Sequence, residues 1–211
     1  MVNTSIVIGS TGLVGRLLIS NLSNKNIDIL AITRKPIKNI SKNVKSFQID
    51  FSSFLNDNKL PSCDHLYICL GTTIKKAGSQ KNFRQVDFEY SLAFAKRAKE
   101  SGATKISLVS SVGAYHKSKN FYLRVKGELE EAIKKIDYEQ INIYRPSLLV
   151  GTRPESRFLE QFGQKFSIII NLFLWGSLKK YRSIEAQKLS QFISTAKDKR
   201  GVNYYYYKDF I

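Results

Sequence analysis

The fold that we expect for this chain is indicated by the stretch Thr4-Ser-Ile-Val-Ile-Gly9-Ser-Thr-Gly12-Leu-Val-Gly15-Arg-Leu-Leu-Ile-Ser20. Its order predicts a buried strand over 4–8, a glycine loop, and a helix over 13–20. Glycines in such a loop permit a tight turn and let backbone N–H groups approach a pyrophosphate, which the positive end of the helix dipole also attracts. We therefore predict a phosphate-binding loop made of Gly9, Ser10, Thr11, Gly12, Leu13, Val14 and Gly15.

The glycine spacing does not establish this site alone. It is Gly-x-x-Gly-x-x-Gly, whereas the standard dinucleotide fingerprint is Gly-x-Gly-x-x-Gly, and an ordinary glycine-rich turn is the alternative. The position of the loop between a strand and a helix favours nucleotide binding.

Apolar runs alternate with helical patterns along the rest of the chain. Strands are predicted over 28–33, 47–49, 65–70, 105–109, 140–144 and 201–207, and helices over 88–100, 121–136 and 184–193. The alternation predicts an α/β fold, a Rossmann-like doubly wound parallel sheet with helices on both faces.

Length and composition indicate one domain over 1–211, with 152–200 as a small C-terminal substrate-side or lid segment. Within that segment the apolar stretch 166–175 is too short to cross a bilayer, which takes about 20 residues. A buried helix is its simplest structure. A lid over the substrate, a dimer seam or a membrane-surface contact are the alternatives.

Two cations follow the second predicted strand, where an NAD-selective fold would place an acid against the ribose 2′-hydroxyl. They are Arg34 and Lys35. Because arginine pairs with a phosphate in a planar, charge-assisted way, we predict that NADP(H) is preferred over NAD(H). A solvated basic loop is the alternative.

Ligands of doubly wound sheets bind outside the carboxyl ends of the strands. Asp50 and Phe51 close one predicted strand and are expected to meet the adenine ring. The end of another strand is expected beside the cofactor, with Leu70, Gly71, Thr72 and Thr73. Ser111 follows the strand over 105–109 and is expected to hold a substrate oxygen, although a serine there also satisfies turn hydrogen bonds.

Tyr122 and Lys126 lie one turn apart on a predicted helix, so their side chains share a face. A nearby ammonium favours the phenolate and brings the tyrosine pKa down from about 10 toward neutral pH. The pair therefore predicts a general acid, which with Ser111 completes a Ser-Tyr-Lys set for proton transfer to a carbonyl. The spacing alone is common by chance in a chain so rich in both residue types.

The net charge of +17 and the isoelectric point of 9.8 raise the alternative of nucleic-acid binding. The cations are scattered without a recognisable nucleic-acid motif, so we predict no specific nucleic-acid function. Cys63 and Cys69 lack zinc-site spacing, and no metal site is predicted. The amino terminus has no signal-peptide pattern and no transmembrane segment is evident, so cytoplasm is the expected location.

Taken together, the motifs resemble the short-chain dehydrogenase/reductase superfamily, and within it the atypical NADP(H)-binding group that includes the Tat-interacting protein. The resemblance covers most of the chain. Besides the glycine loop, it is carried by the runs 69–73, 83–87, 108–114, 120–128 and 144–151. It implies that Ser111, Tyr122 and Lys126 are catalytic, that Lys126 also binds the nicotinamide ribose, and that the nicotinamide pocket is lined by Arg145, Pro146 and Ser147.

Two functions follow as hypotheses. The first is an NADP(H)-dependent oxidoreductase that moves hydride to or from a carbonyl or alcohol of unknown identity. The second is a non-catalytic NADP(H)-binding regulator or redox sensor that acts through a protein partner. Oligomeric state is left open, including a homodimer.

Overall fold

A parallel sheet runs through the molecule, and its strands come from almost the whole length of the chain. The structure, a computed structural model, describes residues 4–25, 27–34, 37, 41–51, 54, 59–151, 181–195 and 199–211. The strands are β1 (Thr4–Ile8), β2 (Asp28–Thr33), β3 (Val44–Gln48), β4 (His65–Ile68), β5 (Lys105–Val109), β6 (Gln140–Tyr144), β7 (Leu149–Val150), β8 (Ile184–Glu185) and β9 (Gly201–Tyr205). The helices are α1 (Leu13–Ser23), α2 (Ile74–Ala77), α3 (Gln80–Arg84), α4 (Ser91–Glu100), α5 (Phe121–Lys134) and α6 (Ala186–Ser194).

The main sheet has the order β3-β2-β1-β4-β5-β6-β9 and is parallel throughout the described residues. The strand order reverses at β1, where Ile8 pairs with Ile32 on one side and with Ile68 on the other. The carboxyl ends of β1, β2 and β4 therefore lie side by side around the loop that begins at Gly9. In folds of this kind the crevice at the reversal is the ligand site. Strands β7 and β8 form a separate parallel pair.

Helices cover both faces of the sheet because its strands alternate their apolar side chains between two cores. β1 sends Ile6 and Ile8 to one core and Val7 to the other. The first core contains Phe94 of α4 and Leu129 of α5. The second contains residues of α1 and α6, which pack together. The predicted doubly wound fold is confirmed.

Several predicted elements are shifted at their ends. The strand expected over 47–49 is β3, which begins earlier at Val44, and the strand expected over 65–70 ends at Ile68. The helix expected from 88 is preceded by the π-helical segment Gln85–Tyr90, which joins α3 to α4 without a break. Apolar periodicity does not distinguish a π-helical turn from an α-helical one.

The carboxy-terminal region is described in part. The predicted helix over 184–193 is α6, whose buried Leu189 and Ile193 face the core, and Asn21 of α1 donates from Nδ2 to Ser190 Oγ at 2.9 Å. Its prediction as a cover for the core is confirmed. Residues 152–180 and 196–198 of the predicted lid segment lie outside the described residues, and so does the apolar stretch 166–175. Among the residues that are described, no helix is long and apolar enough to cross a membrane.

Candidate active site

The loop between β1 and α1 is built around two glycines that admit no side chain. Gly9 has a φ of 73°, and a Cβ there would lie 2.5 Å from the backbone carbonyl carbon of Cys69. A Cβ on Gly15 would lie 2.3 Å from the carbonyl oxygen of Gly9. The loop is therefore packed tightly between the end of β4 and the first turn of α1.

The amino terminus of α1 is open to a ligand. Gly12 precedes its first turn, donates its N–H to the Gly9 carbonyl oxygen at 2.9 Å, and is exposed. No side chain among the described residues caps α1. The N–H groups of a helical first turn have no partner within the helix, so they are available to an anion.

The side chains of the loop differ in their burial and in their hydrogen bonds. Ser10 is buried, and its hydroxyl donates to the Ile32 carbonyl oxygen at 2.7 Å, which fastens the loop to β2. Thr11 is exposed, Leu13 is half-buried and Val14 is buried in the core. The Ser10 side chain is therefore engaged within the protein, whereas the Thr11 side chain lies at the surface of the loop.

The predicted adenosine end of the site lies at the ends of β2 and β3. Arg34 and Asp50 are both exposed, and both act on the phenol of Tyr90. Burial raises the pKa of Tyr90, Asp50 raises it further and Arg34 lowers it. Phe51 is 7% exposed, and its ring packs edge-on against Tyr90 and Phe94 at centroid distances of 5.5 and 5.2 Å. Lys35 lies outside the described residues.

Residues 70–73 follow β4, where a buried carboxylate of the π-helical segment shapes the turn. The Thr72 N–H donates to Asp87 Oδ2 at 2.9 Å, and Thr73 Oγ1 accepts from the Lys76 N–H at 3.1 Å and so caps α2. Leu70 is half-buried and Gly71 is exposed. A Cβ on Gly71 would lie 3.5 Å from Asp87 Oδ1 and 3.6 Å from Lys126 Nζ. The turn over 70–73 is therefore in contact with the ion pair formed by Asp87 and Lys126.

Lys126 is held as a buried ammonium. Its Nζ lies 2.7 Å from Asp87 Oδ1, and the two side chains are 5% and 0% exposed. Burial by itself lowers the pKa of Lys126, but the negative charges of Asp87, Tyr122 and Glu130 and the hydrogen bond that Lys126 donates to Asp87 together raise it above its ordinary value. The ammonium therefore stays protonated at neutral pH.

Tyr122 lies one turn before Lys126 and is half-exposed, with its ring 5.5 Å from that of Phe83. The two groups are close enough to interact, because the phenolate is one of the charges that raise the pKa of Lys126. The phenol and the ammonium thus share one face of α5, as the spacing predicts.

Ser111 belongs to a loop that rests on α5. It is half-exposed, and its Oγ lies 3.4 Å from the Val112 carbonyl oxygen. A Cβ on Gly127 of α5 would lie 2.3 Å from the backbone nitrogen of His116, so loop and helix meet backbone to backbone. This contact brings the loop of Ser111 to the helix of Tyr122 and Lys126.

The residues after β6 are engaged by other protein groups. Arg145 forms an ion pair with Glu130, and the Ser147 hydroxyl donates to the Arg182 carbonyl oxygen. Pro146 is buried, and its carbonyl oxygen accepts from the Val112 N–H at 2.8 Å. The three residues border the loop of Ser111, but the side chains of Arg145 and Ser147 are turned to protein partners.

Sequence reasoning gave no role to Asp87 or Glu130. Glu130 lies one turn after Lys126, so the spacing of four along α5 could have revealed it. Asp87 has no comparable local signal because its partners, Lys126 and Thr72, come from other elements.

Both cysteines are free, and burial raises the pKa of each thiol to about 12. Asp64 also contributes at Cys63. Neither is a reactive thiolate at neutral pH. Among the described residues, no group of three or more His, Cys, Asp or Glu side chains is arranged to hold a metal ion.

Comparison with known proteins identifies the family of the chain. The model of the NAD dependent epimerase/dehydratase family matches residues 5–209. Protein FMP52, mitochondrial, of Candida albicans is 35% identical over 163 residues, covering 74% of this chain and 71% of that protein. Protein HTATIP2 of Rattus norvegicus is 33% identical over 175 residues, covering 79% of this chain and 71% of that protein.

Solved structures show the same fold at low sequence identity. The human epimerase family protein SDR39U1 with NADPH has a TM-score of 0.66 and 18% identity, covering 96% of this chain and 74% of that one. The Bordetella bronchiseptica enzyme WbmH in complex with NAD⁺ has a TM-score of 0.73 and 13% identity, covering 98% and 76%.

The expected cytoplasmic location is wrong by this comparison. Relatives from Candida albicans, Lodderomyces elongisporus and Emericella nidulans, 34–36% identical, are named as mitochondrial proteins. The expectation was a default drawn from the composition of a few amino-terminal residues, and similarity over most of the chain outweighs it.

The resemblance to the atypical short-chain dehydrogenase/reductase group of the Tat-interacting protein is confirmed by the family match and by the similarity to HTATIP2. The chain belongs to the NAD dependent epimerase/dehydratase family, and is an NAD(P)-binding protein of the Rossmann fold and of oxidoreductase type.

Proposed function

We propose that the protein is an NADP(H)-dependent oxidoreductase that transfers hydride to or from a carbonyl or alcohol substrate. The observation that carries this proposal is the buried, protonated Lys126, held by Asp87 one turn from Tyr122. A buried ion pair adds little to the free energy of unfolding, because desolvation of both charges offsets much of their attraction. Stability alone is therefore a weak reason for this pair. Because the Lys126–Asp87 pair lies beside the phenol of Tyr122, a catalytic role is favoured.

The described residues fit a dinucleotide. The uncapped amino terminus of α1 and the glycine loop, with Thr11, would hold the pyrophosphate, because they follow β1 directly at the strand reversal. Arg34, exposed after β2, would pair with a 2′-phosphate. The open Gly71, beside Asp87 and Lys126, leaves room for the nicotinamide end to approach the charged pair.

The nicotinamide supplies the hydride when it is bound. Tyr122 would donate the phenolic proton to the carbonyl oxygen as the carbon is reduced, and would take it back in the reverse direction. Ser111 would hold that oxygen with its hydroxyl. Lys126 would favour the phenolate that remains, and Asp87 would keep the ammonium charged and fixed in place.

The proposal is tested with Tyr122→Phe, which removes the acidic hydroxyl and keeps the ring that packs on Phe83. Turnover of a carbonyl identified in a substrate screen is expected to fall by about 10²–10⁴-fold, the usual contribution of a general acid. The dissociation constant for NADPH is expected to stay within about twofold of wild type, since the phosphate contacts are untouched.

Tyr115→Phe is the matched control, because Tyr115 is 53% exposed and is not one of the three residues assigned to proton transfer. It should turn over substrate like the wild type. Full turnover in Tyr122→Phe would reject the mechanism. NADPH binding without hydride transfer to any carbonyl would instead favour a sensor that acts through a protein partner.

A further inference from the structure

The face of α5 that carries Tyr122 and Lys126 continues one turn farther to Glu130. The three residues are spaced by four along the helix, so their side chains form one stripe. Glu130 is 1% exposed, and a buried carboxylate costs free energy unless it is well paired. The partners of Glu130 therefore indicate which parts of the protein this turn of α5 binds.

The Glu130 carboxylate accepts hydrogen bonds from the ends of two neighbouring strands. Ser110, which follows β5, donates from Oγ to Oε1 at 2.5 Å. Arg145, which follows β6, donates from Nε to Oε1 at 3.1 Å and from Nη2 to Oε2 at 2.5 Å. A two-pronged arginine–carboxylate pair restricts direction as well as distance, so it opposes rotation of α5 about its axis.

Arg145 is itself held from the other side. Its Nη1 donates to the Tyr206 hydroxyl at 3.2 Å, and its guanidinium carbon lies 4.6 Å from the centre of the Tyr204 ring. Its backbone N–H donates to the Tyr205 carbonyl oxygen at 2.8 Å. The carboxy-terminal strand β9 thus fixes the arginine on which Glu130 depends.

The same contacts enclose the backbone of Ser111. Ser110 precedes it and is tied to Glu130, while the N–H of Val112 after it donates to the carbonyl oxygen of Pro146, the neighbour of Arg145. Both sides of Ser111 are therefore connected to the turn of α5 that follows Lys126.

We propose that Glu130 is a positioning residue that sets the rotation of α5 against the ends of β5 and β6. It thereby fixes the distance between the Tyr122 phenol and the Ser111 hydroxyl without touching the substrate. This inference rests on the proposed function, because it assigns Glu130 a part in aligning the two hydroxyls that would share the substrate oxygen. Misplacement of a reacting group by about 1 Å can cost 10²-fold in rate.

The test replaces the whole network by apolar side chains, in the variant Ser110→Ala/Glu130→Leu/Arg145→Met. Removing all three members together leaves no member of the network as an unpaired buried charge, and the Tyr206 hydroxyl that loses Arg145 belongs to a half-exposed residue. Such replacements are often neutral for stability. The control is Glu131→Leu/Lys134→Met. It removes the half-exposed ion pair between Glu131, the residue next to Glu130, and Lys134 of the same helix, in which Lys134 Nζ lies 2.7 Å from Glu131 Oε1.

A positioning role predicts that the apolar variant melts within about 5 °C of wild type and binds NADPH within about twofold. Its kcat should nevertheless fall on the order of 100-fold, with a smaller change in KM. The control should keep its kcat. A kcat within about threefold of wild type in the stable apolar variant would show that Glu130 serves stability alone and overturn the inference.

Hydrogen exchange separates this inference from the proposed function. The amides of Val112 and Ala114 are expected to exchange about tenfold faster in the apolar variant than in wild type, since the loop of Ser111 is released, while β1 and β4 keep their protection. This readout applies even where wild type turns over no carbonyl. Unchanged exchange in the loop would refute the inference. If the apolar variant does not fold, Ser110→Ala, which keeps both charges, takes its place. The amides of the Ser111 loop should then exchange faster than in wild type, though to a smaller extent. Unchanged exchange in Ser110→Ala would also refute the inference.

Discussion

The carboxylate of Asp87 is fully buried and lies 2.7 Å from the Lys126 ammonium. The pKa of Lys126 is raised in the folded protein, because Asp87, Tyr122 and Glu130 outweigh the opposite effect of burial. The stabilisation from this pair is therefore fully present below the unfolded lysine pKa of about 10.4, and is lost as pH rises through the folded value.

Asp87→Asn should destabilise the protein by about 3–5 kcal/mol at neutral pH, because it leaves a buried ammonium without a counter-ion. The difference from wild type should shrink as pH rises above about 10.4, the pKa of the unfolded lysine, and through the higher pKa of Lys126 in the folded protein. Urea unfolding followed at neutral and alkaline pH measures both values. Asp28→Asn, the same change at an exposed site, should cost less than about 0.5 kcal/mol throughout. A pH-independent loss in Asp87→Asn would contradict the assigned charges.

Arg34 is the residue on which the proposed preference for NADP(H) depends. Arg34→Ala should weaken NADPH binding on the order of 10–100-fold, the equivalent of one charge-assisted hydrogen bond, and should change NADH binding by less than about twofold. Isothermal titration with both cofactors measures the two losses. Arg200→Ala removes the same charge just before β9, at the opposite edge of the sheet, and should affect neither. Equal losses for both cofactors in Arg34→Ala would remove the proposed preference.

The element formed by β1, the glycine loop and α1 depends on close backbone contact. The effect of that contact can be measured by comparing substitutions at two glycines. Gly9 and Gly78 have nearly the same φ, 73° and 79°, but a Cβ on Gly9 would collide with the Cys69 carbonyl group, whereas one on Gly78 meets nothing within 4 Å. Gly78→Ala should cost about 1–2 kcal/mol from its backbone conformation alone. Gly9→Ala should cost clearly more and abolish NADPH binding, because the glycine loop and the backbone of Cys69 after β4 must separate.

Thermal unfolding with and without NADPH measures both effects, since a ligand that binds the native state raises its apparent stability. Gly78→Ala should keep the full NADPH-induced shift. If Gly9→Ala kept it too, the loop would not be the cofactor site.

For the molecule as a whole, the net charge of +17 should appear as a salt dependence of binding. Such a field attracts polyanions until salt screens it, and the Debye length falls from about 10 Å at 0.1 M to about 3 Å at 1 M. NADPH affinity should therefore decrease over this range of sodium chloride, and more steeply than NADH affinity because of the extra phosphate. Fluorescence titration of both cofactors measures the two slopes. Equal slopes would show that the 2′-phosphate does not meet the basic part of the surface.

The sequence by itself determined the strands β1, β2, β5 and β6 and the helix that carries Tyr122 and Lys126. It also determined the place of the glycine loop between β1 and α1. These features follow from the spacing of apolar residues and from glycine, which are local properties of the chain. The sheet order then follows closely, because parallel strands joined by helices have few right-handed arrangements.

The tertiary structure alone decided which groups the site residues meet. The ring of Phe51 packs against Tyr90 and Phe94, the Ser10 hydroxyl donates to a carbonyl oxygen of β2, and Arg145 is paired with Glu130. It also supplied Asp87 as the partner of Lys126. Burial and charge pairing depend on residues far apart in the chain, so no local pattern specifies them; the packing of α5 and the π-helical segment against the strand ends does.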